Sequence, residues 1–513
     1  MNKDRFIYGS ILMIFMNFIT RIIGFTYDVL LSKLLGAEAM GLFQIGMSTL
    51  MTFLIITSSG IPTCITKLIA EQNSKRNKEN VENIYRTALW LNLSLSIGLG
   101  IIFLLSSKFI AIKILKNESM LLGVYLLFPA LIILSLSIIL KSYFYGMKNV
   151  TTPGIAQIIE HSTRFIVVIG LLYYIGPINP VYGAMIAILG ISIGEFCDLT
   201  WSIYAKNRLY KNKYNLLPRN QNKNSFLITI LSMSLPLTLS GFFGVILRFS
   251  NTILIPSRLM AAGYTSSESV ATFGRIMGMT MPLLHLPFIV TSALVINLIQ
   301  SLSEQVVLKR YQDIKRDIQL SIKVTLLISI PLMCIYVILS KPLAIFLYND
   351  PMVANFINIM GYSTVLLALQ HTFSGILYGL NKQIIATINR LIGTVIQVIL
   401  IYSLVGNPRF GIYGFFISFF SSTLITTLLD IWTLKRIIKF NFNYLDLLGK
   451  PLLASAFMVI TMYLSTYDLK NIQNANFLLF ISSLLLGSLS YIIILFITKA
   501  LPKDSFKRIM SNK

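Results

Sequence analysis

The feature that most constrains this chain is a series of apolar stretches, each about 20 residues long, that continues along almost its whole length. A helix rises about 1.5 Å per residue and the hydrocarbon layer is about 30 Å thick, so such a stretch can cross a membrane. The sequence predicts an all-α fold, a polytopic membrane protein of 14 transmembrane helices. Their predicted spans are 6–31, 42–65, 85–107, 120–141, 153–175, 181–205, 226–249, 272–299, 318–340, 354–379, 384–406, 411–434, 451–466 and 476–498.

The composition excludes a soluble enzyme. Of the 513 residues, 55% are hydrophobic and only 12% are charged, whereas a soluble domain carries about 25% charged residues. The cysteines Cys64, Cys197 and Cys334 lie in separate apolar stretches, which indicates neither a disulfide framework nor a metal site. The chain has no phosphate-binding glycine loop and no nucleophile elbow. We therefore expect no enzymatic activity, no cofactor and no metal.

The distribution of positive charge predicts how the chain lies in the membrane. The formal net charge is +24, and most of the 43 Lys and Arg residues fall in the termini and in the loops on the same side, including residues 206–223 and 309–323. Because basic loops stay in the cytoplasm, both termini are predicted to be cytoplasmic. The expected partners of this charge are membrane lipids with anionic head groups, not nucleic acid.

Short segments recur at a constant separation along the chain. Tyr145–Lys148 resembles Tyr378–Asn381, and Glu71–Gln72 returns as Glu304–Gln305 with the same separation. The repeat predicts two parallel six-helix bundles, at residues 1–225 and 226–440, followed by two additional transmembrane helices and a cytoplasmic tail at 441–513. Parallel halves of this kind are typical of alternating-access transporters, whose substrate site lies between the halves.

Four arginines in the predicted spans are the candidate substrate ligands. A charge in the centre of the membrane costs roughly 2.5–3.5 kcal/mol on insertion scales, so such a residue is expected to face a cavity or a partner. A guanidinium can bind a phosphate group through two parallel hydrogen bonds. The candidates are Arg21, Arg164, Arg248 and Arg275. Two alternatives stay open, since Glu160 can pair with Arg164 four residues away and Arg275 can extend to the membrane surface.

Two acidic residues of the sixth predicted helix are candidates for ion coupling. Glu195 and Asp198 lie on adjacent turns of one helix face and could take up a proton or a cation. The alternative is that they only neutralise Arg21 or Arg164 within the bundle.

Glycine and proline residues predict kinks in two helices. Gly60 and Pro62 interrupt the second helix, and Pro282 and Pro287 interrupt the eighth. A proline removes a backbone hydrogen bond and bends the helix, which would allow gating movements. Prolines are also common in static membrane helices.

Several segments resemble one family of membrane proteins. They are similar to the polysaccharide-flippase branch of the multidrug/oligosaccharidyl-lipid/polysaccharide (MOP) superfamily, and most similar to its stage V sporulation protein B subgroup. The segments are Arg21–Phe25, Leu34–Ala37, Gly41–Gln44, Ser59–Pro62, Lys67–Glu71, Tyr143–Asn149 and Gln157–Glu160, together with Arg164.

The resemblance implies a flippase in the bacterial cytoplasmic membrane. Its expected cargo is an undecaprenyl-pyrophosphate-linked glycan, the peptidoglycan precursor of the spore cortex, and its other expected partners are cell-wall synthesis proteins. In related lipid II flippases a cavity arginine occupies the position of Arg21, and the resemblance implies the same role here. A second arginine of that motif is replaced by Tyr27. The two additional helices border a groove for the lipid tail in those relatives.

Three other functions remain open at this stage. A cation-coupled multidrug exporter of the same superfamily would use Glu195 and Asp198 as its coupling site. A non-transporting membrane scaffold for sporulation would not need the arginines. A membrane glycan polymerase would need a sizeable outer loop, but the longest predicted one, residues 250–271, contains only Arg258 and Glu268 as charged residues.

Overall fold

The computed structural model describes residues 3–58, 60–115, 117–210, 223–438, 445–465 and 477–500. These residues form helices and turns, without a β-strand. The chain forms two compact units, an N-terminal unit, Met1–Gly274, and a C-terminal unit, Arg275–Lys513. The helices of the N-terminal unit are α1 (Lys3–Ser58), α2 (Ile61–Ser74), α3 (Lys78–Leu105), α4 (Ser107–Phe109), α5 (Met120–Gly146), α6 (Thr151–Ile175), α7 (Pro180–Tyr210), α8 (Lys223–Ala261) and α9 (Ser266–Gly274).

The C-terminal unit contains ten further α-helices among its described residues. They are α10 (Met281–Leu284), α11 (Pro287–Val307), α12 (Tyr311–Ile338), α13 (Ser340–Leu343), α14 (Val353–Gly361), α15 (Ser363–Gly379), α16 (Gln383–Leu400), α17 (Ile412–Ile437), α18 (Lys450–Ser465) and α19 (Phe477–Ile497). Wider π-helical turns occur at Ile110–Ile114, Arg275–Thr280, Ala344–Tyr348, Ile401–Val405 and Leu445–Gly449.

The predicted all-α membrane fold is confirmed, but the predicted number of spans is not. Within the described ranges, eleven helices are long and apolar enough to cross a membrane, or twelve if α14 and α15, bent by 52°, form one span. Helical residues lie on each of the fourteen predicted stretches. The first two stretches are joined within Lys3–Ser58 with only a kink at Gly36 between them, however, and the eighth is divided into short pieces. The count of fourteen is therefore not confirmed.

A single glycine separates the first two predicted spans inside α1. Gly36 has φ 76° and ψ 178° within the otherwise helical segment Lys3–Ser58. Glycine adopts a positive φ without the steric conflict that a Cβ atom causes. The chain therefore changes direction at Gly36 with almost no loop.

The internal repeat is visible in the positions of the helices. The separation between Glu71 and Glu304 also relates both ends of α3 to the ends of α12, and it relates Met120–Gly146 to Val353–Gly379. The left-handed residues that follow these helices also recur, with φ 60° at Lys148 and φ 58° at Asn381. Helix ends and a left-handed residue thus recur at the separation of the sequence repeat.

The boundary between the two compact units does not coincide with the boundary between the repeats. Helix α8, the first helix of the second repeat, packs against α1, α2, α3 and α9 and belongs to the N-terminal unit. The last two helices belong to the C-terminal unit, where α19 packs on α18 and α18 on α12. The Tyr491 hydroxyl of α19 donates a 2.8 Å hydrogen bond to the Leu327 carbonyl. The division at 225 and 440 stays a prediction.

Substitution of Gly41 by Ala is expected to destabilise the N-terminal unit. A Cβ atom at Gly41 would overlap the backbone carbonyl of Val270, where α1 crosses α9. Backbone atoms cannot rotate away, so overpacking of about 1–3 kcal/mol is expected. The thermal unfolding midpoint of the purified protein in detergent measures it. Gly98→Ala is the control, because nothing lies within 4 Å of its Cβ position, and equal midpoints for both variants would contradict the prediction.

Candidate functional site

The close packing of α6 against α7 depends on two glycines of α7. A Cβ atom at Gly194 would lie 3.0 Å from the Glu160 carbonyl oxygen and 3.4 Å from Cβ of Arg164. A Cβ atom at Gly190 would overlap the side chain of Val168. Small residues four positions apart allow two membrane helices to approach closely. The acidic residues that follow Gly194 on α7 are therefore held against α6.

Asp198 of α7 is fully buried and pairs with a lysine of α5. The Lys141 ammonium forms an ion pair with the Asp198 carboxylate and lies 3.9 Å from Oε2 of Glu160. The hydroxyls of Ser137 and Ser202 donate hydrogen bonds to Oδ1 of Asp198, at 2.9 and 3.3 Å. Because breaking a buried ion pair leaves an uncompensated charge, these contacts hold α5 and α7 together.

Arg164 of α6 is part of the same network. Its Nη2 donates to Oε1 of Glu160 at 2.5 Å, one helical turn away. The pairing of Glu160 with Arg164, one of the two alternatives left open by the sequence, is the arrangement observed. The role of Arg164 as a substrate ligand stays a prediction, and it requires this ion pair to open.

Three buried carboxylates meet at this network, and we call Glu160, Glu195 and Asp198 the carboxylate trio. One carboxylate oxygen of each lies within 4.8 Å of the others. Glu195 is 4% exposed, and its Oε2 has no hydrogen-bond partner among the described residues. Lys141 and Arg164 supply two positive charges against three carboxylates. The trio therefore has the donor set and the excess charge to take up one proton or a small cation.

The other predicted arginines lie in different surroundings. Arg21 is exposed, and no carboxylate of the described residues pairs with it. It shares a face of α1 with Gly24, whose Cβ position is 3.9 Å from His161 of α6. Arg275 belongs to the C-terminal unit, where its Nε donates to Oδ2 of Asp350 at 2.7 Å. The side chain of Arg248 lies outside the described residues.

Tyr27 replaces the second arginine of the family motif and does not take over its role. The side chain is 4% exposed, and its hydroxyl has no partner among the described residues. A buried phenol cannot supply the positive charge of a guanidinium.

Helix breaks lie at the predicted kink positions. Gly60 precedes α2, and Pro62 is in the first turn of that helix. Pro282 is in the first turn of α10, and Pro287 begins α11 after the turn at His285. A proline in the first turn is well tolerated because the first amide groups have no helical partner. These prolines therefore start new helices, and their role in gating stays a prediction.

Lys141 is the functional residue that the sequence reasoning missed. The fourth predicted span ends at Lys141, so its charge counts as part of a loop. In the structure α5 continues to Gly146, and the Lys141 side chain is 12% exposed. Tyr143 and Phe144, further along α5, are also buried.

Two family models match the chain. The model described as polysaccharide biosynthesis protein matches residues 6–296, more than half of the chain. The model described as MatE matches residues 226–403.

Curated relatives from Bacillus subtilis (strain 168) match most of the chain. Stage V sporulation protein B is 25% identical over 513 residues, covering 99% of this chain and 98% of the relative. Lipid II flippase MurJ is 21% identical over 423 residues, covering 78% and 77%.

Solved structures share the fold. An inward closed conformation of lipid II flippase MurJ aligns with a TM-score of 0.71 and 16% identity, covering 95% of this chain and 98% of that one. An inward-facing multidrug resistance MATE transporter of the MOP superfamily aligns with a TM-score of 0.63 and 14% identity, covering 84% and 98%. These relatives are flippases and transporters, so the predicted multi-pass membrane protein without enzymatic activity is confirmed.

Replacement of Lys141 by Met is expected to destabilise the N-terminal unit by about 3–5 kcal/mol, because it leaves the buried Asp198 carboxylate without its partner. The thermal unfolding midpoint in detergent should fall. The double variant Lys141→Met with Asp198→Asn removes both charges and should recover most of the loss. If the double variant is no more stable than the single one, the ion pair is not the cause.

Proposed function

The chain belongs to the polysaccharide biosynthesis protein family, within the MOP superfamily of membrane flippases and transporters, and we propose that it moves undecaprenyl-pyrophosphate-linked oligosaccharide across the bacterial cytoplasmic membrane by alternating access. The proposed cargo is the peptidoglycan precursor of the spore cortex. Two relatives support this choice, one named for lipid II and one for stage V of sporulation. Both termini are proposed to be cytoplasmic, as the basic loops predict.

The observation that carries the proposal is the state of Arg21. Of the candidate arginines whose side chains are described, Arg164 and Arg275 are each neutralised by a carboxylate. Arg21 is exposed within an apolar span and lacks such a partner among the described side chains. An exposed guanidinium at membrane depth needs an anion or water to satisfy it. A pyrophosphate supplies the acceptor oxygens that match its planar donors.

The carboxylate trio is proposed as the coupling site. Glu195 and Asp198 were chosen from the sequence, and Glu160 and Lys141 join them through the contacts described above. Uptake of one positive charge would compensate the excess negative charge of the network. Because α5, α6 and α7 all contribute to it, a change of charge there would alter the packing of three helices.

The trio is also compatible with a cation-coupled multidrug exporter, the second candidate function. That function requires the coupling site but not a pyrophosphate ligand. It predicts that drugs, and not lipid-linked sugars, compete for the protein, and that Arg21 is dispensable.

The decisive experiment replaces Arg21. In Arg21→Ala, affinity for undecaprenyl-pyrophosphate-linked sugar should fall roughly tenfold or more, because a hydrogen bond to a charged group contributes about 1.5–3 kcal/mol. Arg21→Lys should bind with intermediate affinity, since it keeps the charge and loses the planar donor pair. Binding to the purified protein and complementation of a deletion strain at equal expression are the measurements.

Arg409→Ala is the matched control, because Arg409 is an exposed arginine in the short segment between α16 and α17. It should bind and complement like the unaltered protein. Normal binding by Arg21→Ala would refute the pyrophosphate assignment, and normal complementation would favour the exporter or scaffold.

Glu195→Gln tests the coupling site separately. The amide keeps the size of the side chain but cannot ionise. Binding of the lipid-linked sugar should be unchanged, whereas transport into proteoliposomes should no longer respond to an imposed proton or sodium gradient. Glu79→Gln, at an exposed position in the first turn of α3, is the control. A normal gradient response in Glu195→Gln would exclude this residue from coupling.

A further inference from the structure

Helix α16 carries a stripe of polar residues along its length, which we call the polar stripe. Its members recur at intervals of four, three, four and three residues, and this spacing keeps them on one face of a helix. They are Gln383, Thr387, Arg390, Thr394 and Gln397. From its first to its last residue the stripe extends about 20 Å, roughly two-thirds of the hydrocarbon layer. It therefore continues far into a helix that is long and apolar enough to cross a membrane.

The opposite face of α16 is apolar and exposed to the surroundings of the protein. Its residues, all 41–72% exposed, are Ile384, Ile388, Ile392, Val395 and Ile399. Arg390 is two residues away from both Ile388 and Ile392, which places it about 200° around the helix from them. Asn389 and Gly393 lie between the two faces, where α16 packs against α17. Since apolar side chains suit lipid and polar ones need water or a ligand, the polar stripe faces away from the lipid.

Arg390 is the charged member of the polar stripe, and it is directed toward α15. It is exposed, and no carboxylate of the described residues forms a salt bridge with it. Its Nη2 donates a weak, 3.4 Å hydrogen bond to Oγ of Ser374, which is 5% exposed. Arg390 lies about 10 Å along α16 from the start of that helix. Because its guanidinium contacts a buried hydroxyl at this depth, it does not extend to the membrane surface, and its other donors need an acceptor.

The neighbouring helices add polar groups next to Ser374. His371 lies one turn earlier on the same face of α15, and its Nδ1 is 3.2 Å from Oγ1 of the buried Thr291 on α11. The His371 ring also stacks on Phe288, with 4.8 Å between the ring centroids. These two contacts orient the imidazole. Helices α11, α15 and α16 thus contribute polar groups to one region of the C-terminal unit.

The first repeat has no equivalent of the polar stripe. When the first residues of α6 and α16 are aligned, the positions equivalent to Arg390 and Gln397 are Ile158 and Phe165. The fold that the two halves share therefore does not require polar side chains at these positions. In a membrane helix they are costly without water or a ligand, which indicates a function of the second half alone.

From this arrangement we propose that the polar stripe, with His371 and Ser374 of α15, binds the glycan part of the cargo, and that Arg390 binds a carboxylate on it. The inference rests on the proposed flippase function and specifies which part of the cargo the C-terminal unit recognises. Glutamine amides can both donate hydrogen bonds to sugar hydroxyls and accept them. The guanidinium matches the acidic peptide that a peptidoglycan precursor carries on its sugar. The pyrophosphate remains the proposed ligand of Arg21.

Binding of three probes to the purified full-length protein in nanodiscs tests the proposal. The probes are undecaprenyl pyrophosphate without a sugar, the same lipid linked to a neutral disaccharide, and the same lipid linked to a disaccharide that carries an acidic peptide. Arg390→Ala should weaken binding of the peptide-bearing probe roughly tenfold and leave the other two unchanged, because it removes a charge-assisted hydrogen bond. Gln397→Leu should weaken binding of both sugar-bearing probes by roughly three- to tenfold, and not of the sugar-free lipid.

Three further variants serve as controls. Ile399→Ala alters the exposed apolar face of the same helix and should bind all three probes normally. Arg390→Lys keeps the charge but not the planar donors, so it should bind the peptide-bearing probe with intermediate affinity. Arg21→Ala should weaken binding of all three probes, since each of them contains the pyrophosphate.

The outcomes separate this inference from the proposed function. Unchanged binding of the peptide-bearing probe by Arg390→Ala would overturn the inference. So would an equal loss for the sugar-free lipid, since Arg390 would then bind the pyrophosphate. In both cases the proposed function stands if Arg21→Ala weakens binding of all three probes. Failure of the unaltered protein to bind any probe would refute the proposed function, and this inference with it.

Access of water to the polar stripe gives a second measurement that needs no cargo. In a variant whose cysteines Cys64, Cys197 and Cys334 are replaced by Ala, Arg390→Cys should react with a membrane-impermeant maleimide in nanodiscs, because the reacting species is the thiolate. Ile392→Cys, at a similar depth on the apolar face, should not react. Equal reaction at both positions, or none at position 390, would overturn the assignment of the polar stripe to a hydrated binding surface.

Discussion

The free energy of placing a charge among apolar helices is the constraint on which the rest of the structure depends. Hydrocarbon offers no hydrogen bonds and almost no dielectric screening, so each buried charge must find a partner on another helix. Lys141 of α5 pairs with Asp198 of α7 and lies 3.9 Å from the Glu160 carboxylate of α6. These pairs join α5, α6 and α7 at defined heights, whereas apolar contacts alone would allow the helices to slide. Arg21 and Glu195 are exceptions among the described residues, and they belong to the proposed substrate and coupling sites.

The repeat allows one half of the chain to be interpreted through the other. Equivalent helices begin and end at almost constant separations, so a residue of the first half can be compared directly with its counterpart in the second. The two halves have a buried aspartate at equivalent positions, Asp198 and Asp430, but among the described residues only Asp198 forms an ion pair with a lysine.

The sequence was sufficient for the class of fold and for most helix positions, because hydropathy and the length of a span are local properties. It also identified Glu195 and Asp198 as candidate coupling residues and Glu160 as a possible partner of Arg164. It did not identify Lys141, since a lysine at the end of an apolar stretch looks the same whether it faces the cytoplasm or a carboxylate. The sequence also did not show that Oδ2 of Asp430 lacks a hydrogen-bond partner among the described residues, because this depends on which face of α17 meets α16. Pairing between helices that are distant in the sequence depends on how they pack, and it cannot be predicted from the local sequence pattern.

Several residues that follow helices combine a left-handed backbone conformation with a positively charged side chain. Arg76, Lys148 and Lys309 have φ between 55° and 60°, a conformation that glycine would adopt at lower energy, by roughly 1 kcal/mol. Glycine, however, carries no charge, and these residues belong to the loops whose basic residues are proposed to set the orientation of the chain. At these three helix ends the backbone is therefore locally strained, and a positive charge is kept in the loop. Glycine at these positions would lower the backbone strain, but it would remove positive charge on which the proposed membrane orientation depends.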